Sequence, residues 1–171
     1  MKSTKREGFT LVELLIVIVV IGILSAMMML SSTEAVSSAR ANNIISNLRN
    51  LKTATLAFYV DSLDKISDLE RKKRIPIGYI VKYLGSSNTT LDTSNNTVGD
   101  GYYAYIGNNN VWLVQYDATN EKSEVKTKLA ARAASVGLRD TTGGENAKSE
   151  KDLPVYTANK NKVGMFVLMG Q

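Results

Sequence analysis

The run from Leu14 to Leu30 contains no charged residue, and a single carboxylate, Glu13, sits at its start. As a helix this run spans about 25 Å, just under a hydrocarbon core of about 30 Å. In lipid every backbone polar group must be satisfied internally, so the segment is expected to be helical. It has almost no polar stripe, so it belongs in lipid or among apolar partners all round. A lone charge in hydrocarbon costs roughly 2.5–3.5 kcal/mol on insertion scales, so Glu13 calls for a partner. The fitting partner is a cation near the end of another chain. A secretory signal peptide explains this poorly: the run is too long, and no clean A-x-A site follows it. An ordinary single-span anchor leaves Gly8-Phe9 and Glu13 unexplained.

The string Gly8-Phe9-Thr10-Leu11-Val12-Glu13-Leu14, followed by Gly22, resembles the class III prepilin signal of type IV pilins and type II secretion pseudopilins. The resemblance covers about residues 5–30. It implies cleavage between Gly8 and Phe9 by a prepilin peptidase, N-methylation of the new Phe9 amine, and retention of the apolar helix. It also implies that Glu13 pairs with the Phe9 amine of a neighbouring subunit during assembly. Residues 1–8 are then the leader, 9–30 the transmembrane and assembly half of a long helix, and 31–171 the globular domain. The family's major pilins carry a helix-breaking proline at the position of Leu30. Here Pro76 and Pro154 are the only prolines, and neither lies in the first helix. A minor pilin or pseudopilin fits at least as well as a major pilin.

Composition narrows the reading. The chain has 171 residues, enough for one ordinary domain plus a long helix. Its formal charge is +5, of which Lys2, Lys5, Arg6 and Glu7 of the leader carry +2. It has no cysteine and no histidine. A secreted protein without cysteine has no disulfide staple, so its core must hold it. The same absence excludes His-based triads, thiol nucleophiles and the common zinc sites. No P-loop or Rossmann glycine pattern occurs. The chain reads as a non-enzyme without a cofactor.

From Ser31 to Val60 there is no Pro or Gly, and Ile44, Leu48, Leu51, Thr55 and Phe58 follow a 3–4 spacing. That stripe predicts continuation of the first helix from Phe9 to about Val60, with the stripe packed on a domain core. Arg40, Asn43, Asn47, Arg49 and Asn50 fill much of the remaining surface. Ser67-x-x-Glu70 has capping-box spacing. Pro76 opens a short helical pattern through Leu84, with Gly85 just past its end. Residues 86–101 read as a loop. Tyr102–Ile106 and Val111–Tyr116 read as a hairpin turning at Gly107-Asn108-Asn109-Asn110. A second helix is expected over Glu121–Val136, with Val125, Leu129, Ala133 and Val136 on one face and Gly137 closing it. Asp140–Asp152 reads as a polar loop, and Val155–Thr157 and Val163–Met169 as closing strands. The fold class is α+β: a long N-terminal helix packed on a small antiparallel sheet, the arrangement that the pilin resemblance also implies.

Two weak candidate sites remain. Asn88, Asp92, Asn95, Asn96 and Asp100 offer oxygen ligands of the kind some secretion pseudopilins use for calcium, but without the EF-hand order of acids. Arg71-Lys72-Lys73-Arg74 offers charge to nucleic acid phosphates, but without interleaved aromatics. A solvated loop and a solvated charged face explain both better. The expected protein is therefore a filament subunit. It is inserted in the cytoplasmic membrane as a prepilin and then assembled at the cell surface. Its partners are membrane lipids, the peptidase, the inner-membrane assembly platform and other pilins, in a homo- or hetero-polymer. The runner-up is a monomeric membrane-anchored extracellular binding module. Motility, adhesion, DNA uptake and secretion are not distinguished by the sequence.

Overall fold

A computed structural model describes residues 8–62, 75, 77–84, 101–107 and 109–169. Helix α1 runs uninterrupted through Leu11–Asp61. It contains no proline and one glycine, Gly22, so nothing in it removes a ladder hydrogen bond. It starts two residues later than the sequence pattern predicts, because Thr10 caps it. The chain divides into two compact units at Val36/Ser37, and α1 contributes to both.

In the first unit the apolar side chains of α1 are exposed, from Leu11 through Met29. The helix is long and apolar enough there to cross a membrane. In the second unit its pattern becomes one-sided. Ile44, Leu48, Leu51, Thr55 and Phe58 are buried as their spacing predicts, joined by Ala41 and Ala54. Thr55 is tolerated because its hydroxyl donates to the Leu51 carbonyl at 2.7 Å, which satisfies the one polar atom in the stripe.

The stripe packs on a four-stranded antiparallel sheet: β1 (Tyr102–Ile106), β2 (Val111–Asp117), β3 (Arg139–Asp140) and β4 (Lys162–Met169). The strand order is β1-β2-β4-β3. The expected hairpin joins β1 to β2, closed by Gly107 N–H donating to Val111 O at 2.8 Å, with Asn110 at a positive φ of 55°. Between α1 and the sheet comes α2 (Ile77–Ile80), a single turn that continues as a 3₁₀ turn over Val81–Tyr83. Lys82 and Tyr83 both bond the Asp61 carboxylate at the end of α1. Phe58 gathers Tyr79, Tyr83 and Trp112 around it at ring distances of 5.8–6.3 Å. Ser67–Glu70, Pro76 and Gly85 lie outside the described residues.

Helix α3 (Ser123–Val136) starts two residues after the predicted Glu121, and Val125, Leu129 and Ala133 are its buried residues. Glu121 is instead committed to α1. Its carboxylate accepts from Arg40 Nε at 3.0 Å and Nη2 at 2.7 Å, and from the Tyr116 hydroxyl. Nearby, Asn47 donates to the Tyr102 hydroxyl at 3.3 Å, and the Tyr102 and Tyr116 rings lie 4.5 Å apart. Two of the polar residues on α1 thus bond tyrosines of the sheet, Arg40 while remaining half exposed.

Burial alone would raise the Glu121 pKa, but the hydrogen bonds from Arg40 and Tyr116 and the Arg40 charge outweigh it and hold the pKa below the usual glutamate value of 4.5. A carboxylate whose folded pKa is depressed contributes stability above its unfolded pKa and loses it as pH falls through the folded value. Glu121→Gln should therefore cost about 1 kcal/mol at pH 7, since Arg40 is half exposed and partly screened. Below about pH 4.5 the gap between the two proteins should narrow. Urea titrations of the full chain in detergent at pH 7 and pH 3 check this, and a gap that widens on acidification would refute it.

The last third of the chain holds one addition to the sequence reading and one correction. The segment after Asp140 is a loop with most of its polar residues exposed, as expected, but it also covers part of the sheet. Two 3₁₀ turns, Gly144–Asn146 and Glu150–Asp152, carry Ala147 and Leu153 onto Val111, Leu113, Tyr105 and Phe166 on the sheet's second face. β2 is accordingly buried from Val111 to Tyr116, on both faces. The cover is pinned by Asp140, whose buried carboxylate accepts from Thr142 N–H at 2.9 Å and pairs with Lys160 at 3.2 Å. Ser149 and Asp152 cap its second turn reciprocally. Secondly, Val155–Thr157 is no strand. Only Val155 pairs, in an isolated bridge to Arg139, while Tyr156 N–H is taken by Leu138 O. The edge strand beside β4 is Arg139–Asp140, too short to show any periodicity.

Candidate processing and assembly site

Gly8, Phe9 and Thr10 precede α1 in non-helical backbone, and all three are exposed. A Cβ built on Gly8 would meet no atom within 4 Å. Phe9 is 91% exposed, and among the described residues nothing crowds the bond between it and Gly8.

Thr10 and Glu13 are brought together at the helix start. Glu13 N–H donates to Thr10 Oγ1 at 3.3 Å. In return Glu13 Oε2 accepts from Thr10 N–H at 2.8 Å and from the Thr10 hydroxyl at 2.7 Å. This is a reciprocal capping box, in which the cap residue and the third helical residue satisfy each other's free backbone donors. It also sets a carboxylate at the positive end of the helix dipole. Sequence reasoning singled out Glu13 but missed Thr10. The signal was present, since Thr10-x-x-Glu13 has the same spacing as Ser67-x-x-Glu70.

An apolar surface extends from Leu11 to Met29, and burying each large side chain is worth about 1.5–3 kcal/mol. Glu13 interrupts it once. Among the described residues no three Asp, Glu, His or Cys side chains gather as a metal site. The sequence candidates Asn88, Asp92, Asn95, Asn96 and Asp100, and the basic run Arg71, Lys72, Lys73 and Arg74, lie outside the described residues.

Comparison with known proteins finds one family model on this segment. Residues 3–29 match the family described as the prokaryotic N-terminal methylation motif. The chain thus carries the class III prepilin signal of type IV pilins and pseudopilins, and with the long helix and small antiparallel sheet its fold is pilin-like. No curated protein and no solved structure matches the chain.

Proposed function

We propose that this chain is a structural subunit of a type IV pilus-like filament, made as a prepilin and trimmed between Gly8 and Phe9. The observation that carries this reading is the adjacency of three features within residues 3–29: the exposed Gly8–Phe9 pair, an apolar helix, and the Glu13 carboxylate at its start, all inside the methylation motif. Cleavage would create a cationic amine at Phe9, which is then N-methylated. In the membrane the apolar half of α1 holds the monomer. In the filament the same surface packs against other subunits, and Glu13 takes the Phe9 amine of a neighbour as its counter-ion. Other pilins, the prepilin peptidase and the inner-membrane assembly platform are the partners, and the cell surface is the destination. The chain is a substrate of the peptidase and catalyses nothing itself.

Glu13→Ala tests the pairing. It removes a buried charge, so the monomer should remain in the membrane as well as the parent protein does. Incorporation into sheared filaments should fall at least about tenfold, because a buried amine is left without its counter-ion. Immunoblots of membrane and filament fractions read both quantities. Equal incorporation would remove Glu13 from assembly, and a parent protein absent from filaments altogether would favour the monomeric membrane-anchored binding module.

A further inference from the structure

The two oxygens of the Glu13 carboxylate are not equivalent. Oε2 takes both contacts from Thr10, the backbone N–H at 2.8 Å and the hydroxyl at 2.7 Å. Oε1 makes no hydrogen bond among the described residues. The Thr10 hydroxyl has two duties at once: it accepts from Glu13 N–H and donates to Glu13 Oε2. A glutamate side chain has three rotatable bonds, and fixing it costs up to about 2 kcal/mol of rotamer freedom. Here Thr10 has already fixed it.

We propose that Thr10 is a positioning residue for assembly. It holds Glu13 Oε2 in the subunit's own capping box, and so presents Oε1, already oriented, to the Phe9 amine of a second copy. This rests on the assembly reading above and adds a division of labour within it. Thr10 does not touch the neighbour's amine; it acts through Glu13. The same contacts serve the free subunit, whose carboxylate keeps two hydrogen bonds before any neighbour arrives. A bare charge in that position would need a water defect or a tilted helix to satisfy it. Assembly then requires no exchange of partners at Oε2, only the filling of Oε1.

The hydroxyl is the discriminating group, because valine has the shape of threonine without it. In the full-length protein, Thr10→Val should lower the ratio of filament to membrane-bound subunit about fivefold, because part of the rotamer freedom that Thr10 had removed from Glu13 must then be lost on assembly. Thr10→Ser keeps the hydroxyl and should restore the ratio. The decisive arm is Thr10→Val made together with Glu13→Ala. If Thr10 acts by aiming Glu13, the double variant should assemble no worse than Glu13→Ala alone. If Thr10 only starts the helix, its hydroxyl still accepts from residue 13 N–H when that residue is alanine. Its loss would then cost a further several-fold in the double variant, and the proposal is overturned. Thr10→Val assembling like the parent while Glu13→Ala fails would also overturn it, and would leave the assembly reading standing. Normal assembly of Glu13→Ala would defeat the pairing of Glu13 with the neighbour's amine on which this proposal rests.

Discussion

Gly8→Val should leave the protein as a full-length, membrane-bound precursor, with essentially no mature chain. The structure isolates the reason. Around Gly8 there is open space, and its backbone has no positive φ that would demand glycine. Valine therefore meets nothing among the described residues, and α1 begins beyond it at Leu11. On the proposed reading, loss of cleavage then arises in the peptidase, which must fit a residue with no side chain at this position. Mass spectrometry of the parent protein should find an N-terminus at Phe9 carrying one additional methyl group. The variant should show an N-terminus ahead of Gly8 and no methylation. Filaments whose subunits begin at Met1 would defeat the processing reading.

The second large effect is expected in the sheet. β4 crosses β2 so closely at Gly164 that a Cβ there would lie 2.2 Å from Val114 O and 2.6 Å from Thr141 Cγ2. One of those atoms is backbone, so no rotamer change relieves the clash. Gly164→Ala should cost about 3 kcal/mol or more and lower Tm by roughly 10 °C. Gly137 is the control. It ends α3 at φ 78°, with its N–H bonded to Ala133 O, and an added Cβ there would meet nothing within 4 Å. Gly137→Ala should cost only about 1–2 kcal/mol, the conformational penalty of a left-handed alanine. Thermal melts of the two variants in the same detergent compare a steric cost with a dihedral one. Equal losses would mean that the sheet yields at Gly164.

What was legible in the sequence follows from how far each pattern extends. The 3–4 stripe of α1 repeats over many turns, so Ile44, Leu48, Leu51, Thr55 and Phe58 could be placed before any coordinates. The hairpin announced itself through two apolar runs around Gly107–Asn110. The cover over Val111 and Leu113 did not, because Ala147 stands alone among polar residues and Leu153 adjoins Pro154-Val155-Tyr156, which reads as part of a strand. Two 3₁₀ turns carry no period long enough to detect. Val155-Tyr156-Thr157 has strong strand propensity, yet tertiary hydrogen bonding overrode it. At the candidate site the carboxylate stood out because it was costly. Thr10 was overlooked because threonine in an apolar string looks unremarkable until its spacing to Glu13 is counted.

The order of strands has a consequence for how such a chain can be exported. β4, the last of the four strands in sequence, lies between β2 and β3. A chain that crosses a membrane amino end first, in an extended state, delivers the β1–β2 hairpin early but leaves the inner edge of β2 without its partner. β3 arrives next and has only the isolated bridge from Arg139 to Val155 until residues 162–169, its partner strand, have also emerged. If the chain is exported as proposed, the four-stranded sheet can therefore be completed only by its last strand, from the middle.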